Sequence, residues 1–450
     1  VLNLERKSNY ENYKFPFFIT DTLVVAEYTS IDDITRFVLV GAGGFKKNIK
    51  TPGFLSSEQY SVVKKIFPRY LTDPYKGDGN LVNFKLAWTE AISDPRWGQR
   101  NYSEIFVYDS ETGKTRKLTP ESRYFAPAFS PDGISIAAVS TSADNRNALV
   151  LIDADSGQET ETVISSLTDF YMTPSWSEDG QKIVFTLLDE KGKSIVLYDV
   201  LNKEFEIIIP SGFIEIANPV FARKYVLFNG SYSGIENIYA VDLTDSHSVF
   251  QVTSARFGAC NAKLSPDGKK IVYSDYSSGG YRLVETGFNP DSWKKLEKVE
   301  DFSPSLYKYL VSEEDVDFDF QPDSTISYQS IPYKKSSHIF NFHSWAPAYI
   351  NYMEGENAAG ISFMSQNNLS TATTVAGYKY DMAENTGKVS LDFSWQAWYP
   401  MIDIKTSYGA RAAYTTGDSA TIRYNFNETI VSGGLTLPLI FTGGKYYKGV

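Results

Sequence analysis

One cysteine, Cys260, stands in 450 residues. A single thiol excludes an internal disulfide framework and any multi-cysteine zinc site. Such scarcity suits an exported bacterial protein. Cys260 itself reads as a small core residue rather than a reactive thiol. Histidine is nearly as rare. His247 falls in a hairpin turn and reads as a solvated group, while His338 and His343 flank Ile339–Phe342 with no partnering cysteine and no His-Glu-x-x-His spacing. No metal or cofactor site follows from them. Long apolar runs are also missing, and none approaches the ~18 residues of a membrane-spanning helix. No charged, apolar and small-residue series marks a signal peptide at the start. The chain opens on Val1 and reads as a mature product or an internal fragment. Positive charge is in deficit: the net charge of −11 argues against a nucleic-acid-binding surface. Helical periodicity is scarce, and only Ser57–Phe67 has the pattern of a short amphipathic helix. Aromatics are plentiful, with 31 Tyr and 29 Phe, and together with β-branched runs they point to an all-β protein.

The strands come in repeated units. The clearest is Phe125–Val163: an apolar strand, a Ser-Pro-Asp-Gly turn at Ser130–Gly133, a β-rich strand, a polar hairpin, a second apolar strand and a last polar one. Proline presets φ for the turn, and Asp-Gly supplies its positive-φ position. Related units are Thr22–Gly44, Phe84–Thr119, Thr173–Ile209, Asn218–Thr253 and Asn261–Glu297. The anchors Pro127, Pro174, Pro219 and Ala262 lie 47, 45 and 43 residues apart. A period of about 45 residues with four strands per unit predicts a β-propeller, because no single sheet can bury both its faces alone. Six blades are counted, or seven if the N-terminal segment hides one. Residues before Phe18 are the candidates to close the ring by adding a strand to the last blade.

Pro127–Ala138, Thr173–Phe185 and Leu264–Tyr273 resemble the TolB-type, WD40-like propeller repeat, over roughly residues 17–297. The resemblance implies a six-bladed propeller of the kind that serves as a periplasmic binding scaffold; similar propellers cap serine peptidases. Residues 1–297 are taken as this domain and residues 298–338, with the acidic run Ser312–Thr325, as a linker.

From residue 339 the pattern changes. Val389, Leu391, Phe393 and Trp395 alternate with Ser390, Asp392 and Ser394. Ile402, Ile404 and Tyr408 alternate with Asp403, Lys405 and Ser407, and Ile422, Tyr424 and Phe426 with Arg423, Asn425 and Asn427. Ala359–Gln366, Thr371–Tyr380 and Leu435–Phe441 are further strands, six in all. Strands of ~10 residues with one apolar and one polar face, and aromatics near their ends, fit a transmembrane β-barrel. The rival is a soluble sheet with one buried face. Residues 339–450 resemble the start of an outer-membrane barrel of the surface-antigen type. The lipid-facing candidates are Leu391, Phe393, Trp395, Tyr399, Ile402, Ile404, Tyr408, Ile422, Tyr424 and Phe426. Six strands cannot close a single-chain barrel, so a truncated chain or a shared barrel is expected. The fold class is thus all-β: a six-bladed propeller followed by antiparallel strands of a partial transmembrane-type barrel.

No catalytic constellation emerges. The nearest approach to a nucleophile elbow is Gly360–Met364, which lacks the closing glycine, and no histidine follows His343. The Asp-Gly pairs read as turns, and the strand-ending Asp109, Asp153, Asp199 and Asp242 as acceptors for backbone N–H groups. Asp94–Trp97 interrupts the second blade. Asp94, Arg96, Trp97 and Tyr102 form a candidate partner-binding loop, since Trp and Arg favour interface centres; the alternative is a folded-back loop with Arg96 paired to Asp94. The expected function is a non-enzymatic periplasmic scaffold attached to the outer membrane, binding a protein or peptide at its channel mouth. The alternatives are a propeller hydrolase or lyase with carboxylates converging on the axis, and a propeller gating an N-terminal metallopeptidase-like domain.

Overall fold

The computed structural model describes residues 10–57, 59–64, 83–96, 100–304, 310, 312–313, 332, 334, 339–416, 421–439 and 441. These divide into two compact units, one within 1–92 and 102–315, the other within 93–101 and 316–441.

The first unit is built from six antiparallel sheets. The first holds Glu11–Phe18, Leu23–Ser30, Asp33–Gly41 and Lys46–Lys50. The second holds Ser61–Lys64, Phe84–Ser93, Asn101–Asp109 and Thr115–Lys117. The third is Tyr124–Phe129, Ser135–Thr141, Asn147–Asp153 and Glu159–Ser166; the fourth is Phe170–Trp176, Lys182–Asp189, Gly192–Asp199 and Glu204–Gly212. The fifth is Ile216–Ala222, Tyr225–Gly230, Asn237–Asp242 and Val249–Gln251, and the sixth is Ala259–Leu264, Lys270–Ser277 and Gly280–Gly287.

Apolar layers join these sheets into a ring. Phe37 and Leu39 pack on Trp88 between blades one and two. Ile105 and Val107 meet Ile136 and Val150 between two and three. Leu149 meets Ile183, Val184 meets Val226, and Leu227 meets Ile271 in the next three layers. The sixth layer sets Val24 and Val38 of blade one against Val272 and Leu283 of blade six, which closes the circle. The first unit is therefore an all-β, six-bladed propeller. Each middle strand is buried on both faces: Ile136 and Ala138 face blade two, while Ala137 and Val139 face blade four. This is why such strands read as unbroken apolar runs rather than alternating ones.

Three expectations are corrected here. Of the residues before Phe18, Glu11–Phe18 does not complete the last blade but pairs with Leu23–Ser30 as the inner strand of the first; residues 1–9 lie outside the described residues. Among the described residues, closure rests on side-chain packing and a few polar ties, including Arg282 Nη1 to Glu11 Oε2 at 3.0 Å. Ser57–Phe67 is not a helix where it is described, since Ser61–Lys64 is a strand paired with Phe84–Ala87. Tyr60, Val62 and Val63 are buried there; a strand packed on both faces shows the same short apolar run as a helix turn. Within Asn261–Glu297, Lys294–Lys295 leaves the sixth blade and pairs with Val249–Gln251 of the fifth.

The turns behave as the residues dictate. Asp132, Asp179 and Asp267 each accept a hydrogen bond from the serine two residues earlier, at 2.5, 2.6 and 2.6 Å. Each also accepts the backbone N–H two residues later. Asp109, Asp153, Asp199 and Asp242 likewise accept N–H groups of the turns that follow them.

The second unit contains one open antiparallel sheet in the order Phe342–Ala346, Glu356–Gln366, Ala372–Asp381, Thr386–Trp395, Met401–Thr416, Thr421–Thr436, with Tyr349–Asn351 paired to Glu356–Ala358. Leu435–Phe441 is not a separate strand: Leu435 and Thr436 end the preceding one, and Leu437–Leu439 is irregular. Most of the acidic run, with His338, lies outside the described residues.

Candidate functional site

The inner strands of the propeller share one irregularity. Phe15, Ala126, Thr173, Asn218 and Asn261 have φ values of 50, 50, 48, 52 and 60°. Each lies at a register shift against the neighbouring strand, and each precedes Pro16, Pro127, Pro174, Pro219 or Ala262. A left-handed residue before proline is strained on both counts. The bulge frees backbone groups, and side chains from neighbouring blades take them up. Tyr60 Oη donates to Phe15 O at 2.5 Å, Gln59 Nε2 to Pro174 O at 3.0 Å, and Asn261 N to Asn229 Oδ1 at 2.8 Å. The anchor prolines of the sequence are thus bulge residues at the propeller axis, and Pro16 is the anchor of the first blade.

Four of these bulges wall a cavity with about 420 Å³ of empty space including its mouth. Five blades contribute, through Phe15–Phe17, Gln59–Tyr60, Thr173–Ser175, Asn218–Val220 and Asn261–Lys263. The wall is mainly apolar, with a few polar groups. Lys263 is its one charged residue among the described residues. Its Nζ stands 5.1 Å from the centre of the Phe17 ring, and no carboxylate among the described residues pairs with it. Burial pushes its pKa down to about 8. Gln59 Oε1 and Thr173 Oγ1 are buried without a hydrogen-bond partner among the described residues. Asn218 Nδ2 donates to Asn261 Oδ1 at 2.9 Å, and Asn229 links this pair to Glu236. Burial raises the pKa of Glu236, with Asn229 opposing. A mainly apolar cavity with a few fixed polar groups is the usual build of a ligand site.

The sequence points to the channel mouth as the expected place for a partner but assigns no residue to it, and Lys263 is not singled out. A signal was present. The residue after each anchor reads Phe17, Ala128, Ser175, Val220 and Lys263, so one charge replaces an apolar or small residue in the repeat.

The loop candidates fall elsewhere. Residues 93–101 group with the C-terminal unit. Arg96 Nη2 pairs with Asp94 Oδ2 at 2.7 Å, and its guanidinium lies 5.3 Å from the centre of the Tyr399 ring. Hydrogen bonds from Arg96 hold the Asp94 carboxyl below its ordinary range. Arg96 is thus engaged within its own unit: the Arg96–Asp94 pair is present, while the loop groups with the C-terminal unit rather than with the propeller. Trp97 lies outside the described residues, and Tyr102 is in the strand that follows. His247 Nε2 is 3.2 Å from Glu206 Oε1, and Cys260 is buried. Among the described residues no cluster of three or more His, Cys, Asp or Glu could hold a metal ion.

The C-terminal sheet has two unlike faces. Cross-strand register puts Val389, Leu391, Phe393 and Trp395 on one face with Ile402, Ile404 and Tyr408. This apolar face is open: Val389 is 51 %, Leu391 42 % and Tyr408 54 % exposed. The other face carries Ser390, Asp392, Ser394, Lys405 and Arg411. There Asp392 is 8 % exposed and accepts from Asn351 Nδ2, and Lys405 pairs with Glu354. Arg411 Nη2 reaches Glu384 at 2.8 Å, and Lys388 Nζ reaches Glu428 at 2.5 Å. The pairs Arg411–Phe426, Ala413–Tyr424 and Thr415–Ile422 put Ile422, Tyr424 and Phe426 on this second face. They therefore do not share a face with the other lipid-facing candidates. Tyr399 lies beyond the strand end.

No protein-family model matches the chain, and no curated protein does. Solved structures similar to it include TolB from Acinetobacter baumannii, at 18 % identity over 67 % of this chain and 60 % of that one, with a TM-score of 0.39. The chain thus spans less than two thirds of that TolB. An oligogalacturonate lyase in complex with manganese is 12 % identical over 63 % of this chain and 91 % of its own, with a TM-score of 0.43. A puromycin-hydrolysing peptidase of Mycobacterium tuberculosis is 14 % identical over 88 % and 57 %, also at 0.43. Likenesses this distant carry no functional argument, and the propeller assignment rests on the closed ring of six sheets.

Proposed function

We propose that the chain is a binding propeller held at the outer membrane by its C-terminal strands, with the axial cavity as the site for a protein or peptide partner. The carrying observation is the polarity of the paired strands Thr386–Trp395 and residues 401–408: their apolar face is largely open and their other face is polar and ion-paired. A soluble sheet buries its apolar face. A sheet in lipid turns that face outward, because hydrocarbon offers no hydrogen-bond partners and polar side chains find them inside. The axial wall favours binding over hydrolysis: its residues supply an ammonium, amides and hydroxyls, and none of them is the carboxylate pair that a glycoside hydrolase uses. In this reading the propeller lies in the periplasm of a Gram-negative cell.

Expressed with an export signal in such a host, the full chain stays in the outer-membrane fraction after an alkaline carbonate wash. Release of most of the chain by that wash contradicts the membrane reading.

A further inference from the structure

We propose that the axial cavity is a carboxylate site for a peptide, with Lys263 as the cation that receives the anion. The inference rests on the reading of this cavity as the binding site and names the chemistry that the site takes. Three unmet groups line one cavity. The Lys263 ammonium has a ring face at 5.1 Å and no carboxylate among the described residues. A cation–π contact compensates only part of the lost hydration of a buried ammonium. Gln59 Oε1 has no donor. Its orientation is fixed, because its Nε2 donates to the Pro174 carbonyl. Thr173 Oγ1 also lacks a partner.

These needs are of different kinds, and that narrows the ligand. Lys263 requires an acceptor with negative charge. Gln59 Oε1 requires an N–H or O–H donor, so a simple anion such as acetate satisfies the first and not the second. A peptide end carries a carboxylate with an amide N–H on the same residue, and so does an aspartyl or glutamyl residue. The apolar wall of Phe15, Pro16, Phe17 and Val220 takes the adjoining side chain. The space suits a chain end or a loop tip rather than a folded domain.

The groups facing Lys263 leave its charge free to respond to a ligand. Tyr60 is the other titratable residue of the wall; its hydroxyl donates to Phe15 O and Val25 O, and burial holds its pKa well above the usual tyrosine value. Glu236 is linked to Asn261 of the wall through Asn229. Desolvation alone lowers the Lys263 pKa to about 8, so the residue is charged at pH 7 and neutral well above pH 8. A bound carboxylate raises that pKa, so carboxylate affinity falls as pH rises through and above 8.

The test is calorimetric titration of the full chain with four probes: N-acetyl-Ala-Phe as free acid, the same dipeptide as amide, N-acetyl-Asp-amide, and acetate. The free acid binds at least about ten-fold more tightly than the amide at pH 7, and it loses about ten-fold per pH unit above pH 8. Lys263→Met removes the preference of acid over amide, and Lys263→Arg keeps part of it. Acetate binds more weakly than the free acid. Comparable binding by N-acetyl-Asp-amide supports the site and assigns the carboxylate to a side chain. Equal binding of acid and amide overturns the carboxylate inference while leaving the cavity a binding site. Absence of binding by every probe overturns both readings. If Lys263→Met fails to fold, the pH profile of the unmodified chain decides: a flat profile between pH 7 and 10 overturns the proposal.

Discussion

Leu283→Ala lowers the stability of the propeller by about 2–5 kcal/mol, the range for emptying a buried leucine site. Leu283 has no exposed surface and lies in the layer that joins the sixth blade to the first. This layer differs from the other five. Among the described residues the last blade has three strands, and no strand from elsewhere in the chain completes its sheet. The seam therefore rests on apolar burial with a few polar ties: Glu11 N to Gly279 O at 3.1 Å, Tyr281 N to Asn12 Oδ1 at 3.1 Å, and the Glu11–Arg282 pair. Native-state hydrogen exchange of the variant loses protection in residues 11–41 and 259–287 before the remaining blades. Leu197→Ala, at the seam between blades four and five, loses protection there first. Uniform loss across all blades in both variants contradicts a specific closing seam. Low pH weakens the same seam. Burial raises the Glu11 pKa, but hydrogen bonds from Tyr28 and Arg282 bring it below its ordinary value. Its contribution is present above the usual glutamate range and is lost as pH falls through the lowered value.

In the membrane reading proposed above, Leu391→Arg removes the chain from the outer-membrane fraction. An arginine on the lipid face of a barrel strand costs about 2–4 kcal/mol at mid-membrane. Leu391 lies in the middle of the apolar face, beside Ala376 and Thr406. Ser432→Arg is the matched control. Ser432 pairs with Lys405 on the polar face and is exposed, so an arginine there keeps its charge hydrated and fractionation is unchanged. Equal retention of both variants, measured by immunoblot of washed membranes, contradicts the assignment of the two faces.

Much of the fold is legible in the residues, and the exceptions have physical reasons. Ser130–Gly133, Ser177–Gly180 and Ser265–Gly268 mark their blades because proline, aspartate and glycine act locally in turns. Blade five lacks that turn and is still legible from Tyr225–Gly230 and Asn237–Asp242, whose residues are buried on both faces. The inner strands are less legible. Phe15–Pro16–Phe17 and Gln59–Tyr60 are bulged or short, and their partners are side chains from other blades, which no local pattern reports. In the C-terminal sheet, period-2 alternation identifies each strand but not which face it presents. The register between Met401–Thr416 and Thr421–Thr436 sets that, and it pairs Phe426 with Arg411. Lys263 is the residue where sequence reading stops short. Alone it is a lysine beside a turn; only the ring of blades places it in a cavity with Gln59 and Thr173.

The most direct test of the membrane account is a nitroxide scan of residues 389–394 in the full chain reconstituted into lipid vesicles. The single native cysteine, Cys260, is buried, and Cys260→Ser gives a clean background for labelling. The account predicts oxygen accessibility that is high at 389, 391 and 393 and low at 390, 392 and 394, with a water-soluble nickel complex excluded from the first set. High nickel accessibility at 389, 391 and 393 would place the apolar face in water and contradict the account.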